Sequence, residues 1–133
     1  VTPLTIAQKY EALINDNVNT QRLAFTPVSD PYKKISGEVI WNDALQEGYM
    51  SLASLPVNDP TQNQYQLWIV DPERDEFPVD GGVFDISSST GPAIIPIRNA
   101  LQVNKPIAFV ITLEQPGGVV KSKLEVVVAQ AKS

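Results

Sequence analysis

The stretch QYQLWIVDPERDEFPVDGGVF, Gln64 to Phe84, decides the fold. In an extended chain its first residues alternate, with Tyr65, Leu67 and Ile69 on one side and Trp68 and Val70 on the other. Apolar residues on both sides at a period of two predict an interior strand covered on both faces. DPERDE then reads as a charged turn, and Gly81-Gly82 as the return into a second apolar run. A second reading is open. Asp71, Glu73 and Asp75 stand at alternate positions, as oxygen ligands do in a calcium loop, with Glu76 and Asp80 close behind. Against it, the position where such a loop turns on glycine is Glu76, the closing glutamate position is Gly82, and Arg74 offsets the charge. The expectation is strand, solvated turn, strand, with no metal assigned.

The same period of two runs outward in both directions. SGEVIWND puts Val39 and Trp41 on one face and Ile40 on the other, and GYMSLASLPV sets Met50 and Leu52 against Tyr49, Ser51 and Ala53. RLAFTPV, GVFDI, AIIPI, IAFVITLE and LEVVVAQA continue the series, separated by turn signals such as NDPTQN, SSSTGP, NKP and QPGG. Pro96 removes a ladder donor and confines AIIPI to a sheet edge. About eight short strands at regular spacing predict an all-β fold, an antiparallel, immunoglobulin-like β-sandwich. One short N-terminal α-helix precedes it, in TPLTIAQKYEALINDN. Thr2 with Pro3 offers one start and the Thr5–Gln8 capping box another. Ile6, Tyr10, Leu13 and Ile14 make its apolar face. The helix either lies on the rest of the fold or continues into a segment ahead of it. The organisation expected is a stem helix over 1–20 and a sandwich over 21–133.

Composition narrows the chemistry. The chain has 133 residues, 10 Lys plus Arg against 15 Asp plus Glu, and a net charge of −5. Its basic residues are scattered, with Lys33-Lys34 the one adjacent pair, so no nucleic-acid partner is expected. Cysteine and histidine are absent. That removes a thiol nucleophile, a thiolate metal site, a Ser–His triad and the commonest zinc ligand. Ser87 to Thr90, SSST, has no base near it in sequence, and neither double glycine has the spacing of a phosphate loop. Gly81, Gly82, Gly117 and Gly118 read as turn residues. No catalytic residue and no cofactor is assigned. Trp41, Tyr49, Tyr65 and Trp68 fit a core; Trp41, Tyr65 and Trp68 are also the first candidates for a ligand surface, on which sugar rings would stack.

Five stretches in one order carry a resemblance: GEVIWND, GYMSLASLPV, YQLWIVD, GVFDI and AFVITLEQPGG. Together they resemble the extracytoplasmic C-terminal domain of the anti-sigma-K factor family. The matching positions are Gly37, Val39 and Trp41; Leu55 and Pro56; Tyr65, Leu67 and Trp68; then Ile111, Thr112, Glu114, Gly117 and Gly118. The resemblance runs from about Gly37 to Val128 and leaves the N-terminal helix outside. It implies a non-enzymatic regulatory or sensor domain outside a single-pass cell-membrane anchor, with a transmembrane helix and a cytoplasmic sigma-binding domain ahead of Val1. The implied partners are a sigma factor, the membrane and a regulatory protease. The alternative function is a secreted or surface carbohydrate-binding or adhesion sandwich, which requires exposed aromatic rings.

Overall fold

Thr5 is where the helix begins. Its hydroxyl accepts from the Gln8 backbone N–H at 3.1 Å, and the Gln8 side chain accepts from the Thr5 N–H at 2.8 Å, so two orphan donors are satisfied reciprocally. The computed structural model describes residues 3–16, 18–28, 32–73, 78–87, 92–99, 101–119 and 126–132, so the alternative start at Thr2 lies outside it. Helix α1 (Ile6–Asn15) buries Tyr10 and Leu13 and ends at Asp16, whose N–H reaches the carbonyls of Ala12 and Leu13. Ile6 departs from expectation, because it is 45 % exposed although it continues the same stripe. The sheet covers the helix from Tyr10 onward and not its first turn.

The rest is two antiparallel sheets. Strands β1 (Thr20–Ala24), β3 (Ser36–Asn42), β4 (Glu47–Ala53) and β7 (Ala93–Pro96) form sheet A in the order β1-β3-β4-β7. Strands β2 (Thr26–Pro27), β5 (Gln64–Val70), β6 (Val79–Phe84), β8 (Ala108–Glu114) and β9 (Val127–Lys132) form sheet B in the order β2-β9-β8-β5-β6. The layering is that of an immunoglobulin-like sandwich. The strand order is its own, since the hairpins β3–β4 and β5–β6 stay within opposite sheets. Pro96 does end an edge strand, as its missing donor requires.

The alternation sorts the faces. Val39, Trp41, Met50 and Leu52 of sheet A meet Tyr65, Leu67, Ile69, Phe109 and Ile111 of sheet B in the core between the sheets. Each such fully buried large apolar side chain contributes roughly 1.5–3 kcal/mol. Ile40 and Tyr49 point the other way and are covered by α1.

Two boundaries differ from the sequence expectation. RLAFTPV is two strands. β1 pairs with β3 as far as Ala24↔Glu38, Phe25 sinks into the core, and Thr26 then pairs with Gln130 in the other sheet. A strand that changes sheets closes one side of the sandwich. The second difference is Gly81-Gly82, which lies inside β6 rather than in the turn. Leu67 pairs with Gly82 and Trp68 with Asp80, so Gly81 is the extra residue of a bulge.

Candidate functional site

The residues singled out in the sequence separate into those that build the core and those that meet on the outer face of sheet B. Trp41 and Tyr65 are each 1 % exposed and Trp68 is 0 % exposed. A ring that stacks on a sugar must offer a face to solvent, and none of these three does. Trp41 packs toward Phe109 and donates its indole N–H to Asp43 Oδ1 at 3.0 Å. Tyr65 stacks on Phe84 at 5.6 Å and donates its hydroxyl to the Pro56 carbonyl at 2.7 Å, which ties the segment after β4, with Leu55 buried and Pro56 exposed, to β5. Burial raises its phenol well above the usual tyrosine range.

On the outer face of sheet B the later motif closes on the earlier one. The Trp68 indole N–H donates to Thr112 Oγ1 at 2.9 Å, and the Thr112 hydroxyl donates to Glu114 Oε2 at 2.6 Å. One position away, Gln66 holds the Val119 backbone from both ends, donating to its carbonyl at 3.0 Å and accepting from its N–H at 2.9 Å. Gln64 Oε1 accepts from the Gly117 N–H at 2.8 Å. Gly118 passes so close that a Cβ there would stand 2.5 Å from Val83 Cγ2 and 2.7 Å from Gln66 Oε1. Gln115 to Val119 is thus folded back over the sheet and locked. Gln64 and Gln66 escaped the sequence reading; their signal is a pair of polar side chains at alternate positions of an otherwise apolar strand.

The acidic stretch divides. Glu76 and Asp75 lie outside the described residues, as do Ser88 to Thr90. Asp71 accepts from the backbone N–H groups of Glu73 and Asn104, each at 2.9 Å, and Asp80 accepts from the Gly82 N–H at 2.8 Å. These carboxylates brace loops. Among the described residues no group of three or more acidic side chains converges as a cation would require.

Two concavities lie among the described residues. A cleft of about 210 Å³ opens between β6 and β7 over Met50 and Phe84, and among the described residues lining it Arg98 is the one ionisable group. A shallower groove of about 450 Å³ beside Trp41 holds Asp43 and Lys105. Asp43 Oδ1 there already accepts from the Trp41 indole and from the Lys105 backbone N–H at 3.1 Å. Neither concavity brings together a nucleophile, a base and an acid.

Opposite, α1 sits on sheet A through Tyr10, whose hydroxyl donates to Glu38 Oε1 at 2.9 Å. Glu38 is also paired with the Arg22 guanidinium, Nη2 donating to Oε1 at 2.8 Å, and the hydrogen bonds from Arg22 hold its carboxyl below the usual range. Burial, then the bond to Glu38, pushes the Tyr10 phenol up to about 12. Burial and Glu47 likewise raise Tyr49 to about 12.

A family model described as the C-terminal region of the anti-sigma-K factor rskA matches residues 4–123. The chain belongs to the anti-sigma-K factor family. No curated protein and no solved structure gives a match. As an anti-sigma-K factor C-terminal domain it is part of a regulatory family that is not typically enzymatic and whose partner class is a sigma factor. The match starts before α1 and so takes in the helix that the motif resemblance left outside. Among the described residues no helix is long and apolar enough to cross a membrane.

Proposed function

We propose that this domain is the extracytoplasmic regulatory module of a membrane-anchored anti-sigma factor, and that Gly37, Trp41, Pro56, Tyr65, Leu67, Trp68, Glu114, Gly117 and Gly118 serve it as structural residues. Under this reading a membrane span and a sigma-binding segment lie ahead of Val1. Residues 1–20 form the stem, residues 21–133 form the sandwich, and a protease acting on the full protein frees the sigma factor. The observation that carries the reading is the family match over residues 4–123. It is supported by motif residues that bond to one another, as in the chain from Trp68 through Thr112 to Glu114 and from Tyr65 to Pro56.

The test uses the full-length protein. A reporter that is active only outside the cytoplasm, fused after Ser133, is expected to be active. Deleting residues 21–133 is expected to change transcription from a promoter that depends on the sigma factor. A reporter active only in the cytoplasm, or a deletion without effect on that promoter, would overturn the reading.

A further inference from the structure

Among the described residues the apolar interior comes in two parts that do not merge. The large one lies between the sheets and contains no residue of α1. The small one is Tyr10, Leu13, Ile40 and Tyr49, with Ile14 and Ile94 packed against it, on the outer face of sheet A. Besides this cluster, side-chain hydrogen bonds at Tyr10 and at Asp16 help to seat the helix. Tyr10 donates to Glu38, and Asn42 Nδ2 donates at 3.3 Å to Asp16 Oδ2 at the helix end. Leu4, ahead of the N-cap, and Ile6, in the first turn, stay exposed.

The physics of such a segment is simple. A helix of ten residues does not persist alone in water, because nucleation is costly and most helix stability comes from packing. Leaving the sheet therefore means unfolding. The opening strips cover from Ile40 and Tyr49 and leaves the β3–β4 ladder and the inter-sheet core whole. Segments held by few apolar contacts open at lower cost than the global fold.

We propose that α1 is a strap that opens as a unit separate from the sandwich, and that its opening is the two-state element of this domain. Closed, Ile6–Asn15 is helical and resists proteases. Open, it becomes extended chain that a protease can take up. Any partner that engages the face of Ile40 and Tyr49 better than α1 does shifts the balance toward the open form. The regulatory half of this inference rests on the function proposed above; the structural half does not.

Trypsin reads the strap directly, because Lys9 is the only Lys or Arg between Val1 and Gln21 and lies within α1. Two variants of the 133-residue chain separate local from global opening. Leu13→Ala loosens the strap and is expected to raise the rate of cutting after Lys9 about tenfold or more. Ile111→Val weakens only the inter-sheet core, where Ile111 is fully buried, and is expected to leave that rate unchanged. If Ile111→Val accelerates the Lys9 cut as much as it accelerates global unfolding, the helix opens only with the whole fold and the inference falls. It falls equally if Leu13→Ala leaves the rate of that cut where it was. In the full-length protein Leu13→Ala is then expected to raise sigma-dependent transcription at equal protein level. A strap that behaves as expected while transcription stays still would remove its regulatory role. A full-length protein that fails the topology test would remove the function proposed above and leave the strap.

Discussion

Gly37 has no room for a side chain. Its φ is +148°, and a Cβ would stand 2.0 Å from the Ser51 carbonyl oxygen on the paired strand. That oxygen is backbone in a ladder, so it cannot swing aside as a side chain can. The same residue's carbonyl accepts the Phe25 N–H at 3.0 Å, the last bond β1 makes before the chain changes sheets. Gly37→Ala is therefore expected to cost about 3 kcal/mol or more, through a forced shift of β3 against β4. Urea denaturation followed by tryptophan fluorescence checks it, with a lower midpoint at an unchanged slope. Gly118→Ala makes the contrast. Its φ is +77°, but the nearest obstacles are the ends of the Val83 and Gln66 side chains, which can give. A smaller loss of about 1–2 kcal/mol is expected there, and a loss equal to that of Gly37→Ala would contradict the distinction drawn between backbone and side-chain obstacles.

Strands show what could be read in the sequence and what could not. The faces of β3, β4 and β5 follow from period-two alternation, because a buried face tolerates no slip of one residue. Pro96 marked its edge because a missing N–H acts locally. The break at Phe25 was hidden: no glycine or proline sits at that residue, and the change of sheet depends on β9, about a hundred residues away in sequence. The chain from Trp68 to Thr112 was hidden for the same reason, since its partners lie 44 residues apart and meet only once β5 and β8 have paired. Ile6 sat correctly on the helical stripe, yet a stripe does not say where the surface beneath it ends. The β5–β8 link has a measurable worth. Thr112→Val keeps the shape and removes the acceptor, leaving a buried indole N–H unpaired, which is expected to cost about 1–3 kcal/mol. Thr112→Ser keeps the hydroxyl and is expected to stay closer to wild type. Chemical denaturation of the two variants decides it, and equal losses would show that the methyl group matters more than the hydrogen bond.

Over the whole molecule, the pH dependence of stability follows from which groups titrate and where they sit. With no histidine and no cysteine, no side chain of ordinary pKa changes charge between roughly pH 5 and pH 9. A flat stability plateau is expected across that range. On the acid side, Arg22 holds the Glu38 carboxyl low in the folded state. The unfolded chain then takes up this proton first, so the contribution present at neutral pH is lost as pH falls through the carboxylate range. On the alkaline side the sign reverses. Tyr10 and Tyr49 are raised to about 12 in the fold against 10.0 for a free phenol. Between those values the unfolded chain has released protons that the folded one still holds, so each step up in pH favours the less folded form. Both phenols belong to the small cluster under α1 and not to the inter-sheet core. Tyr65 and Tyr32 in the inter-sheet core are raised by burial too, so alkali weakens both units, and the strap, held by fewer apolar contacts, is expected to open first. In a titration from pH 9 to pH 12, loss of helical circular dichroism should precede the change in fluorescence of Trp41 and Trp68, which lie in the two sheets away from that cluster. Coincident transitions would mean that the helix and the sandwich are one cooperative unit.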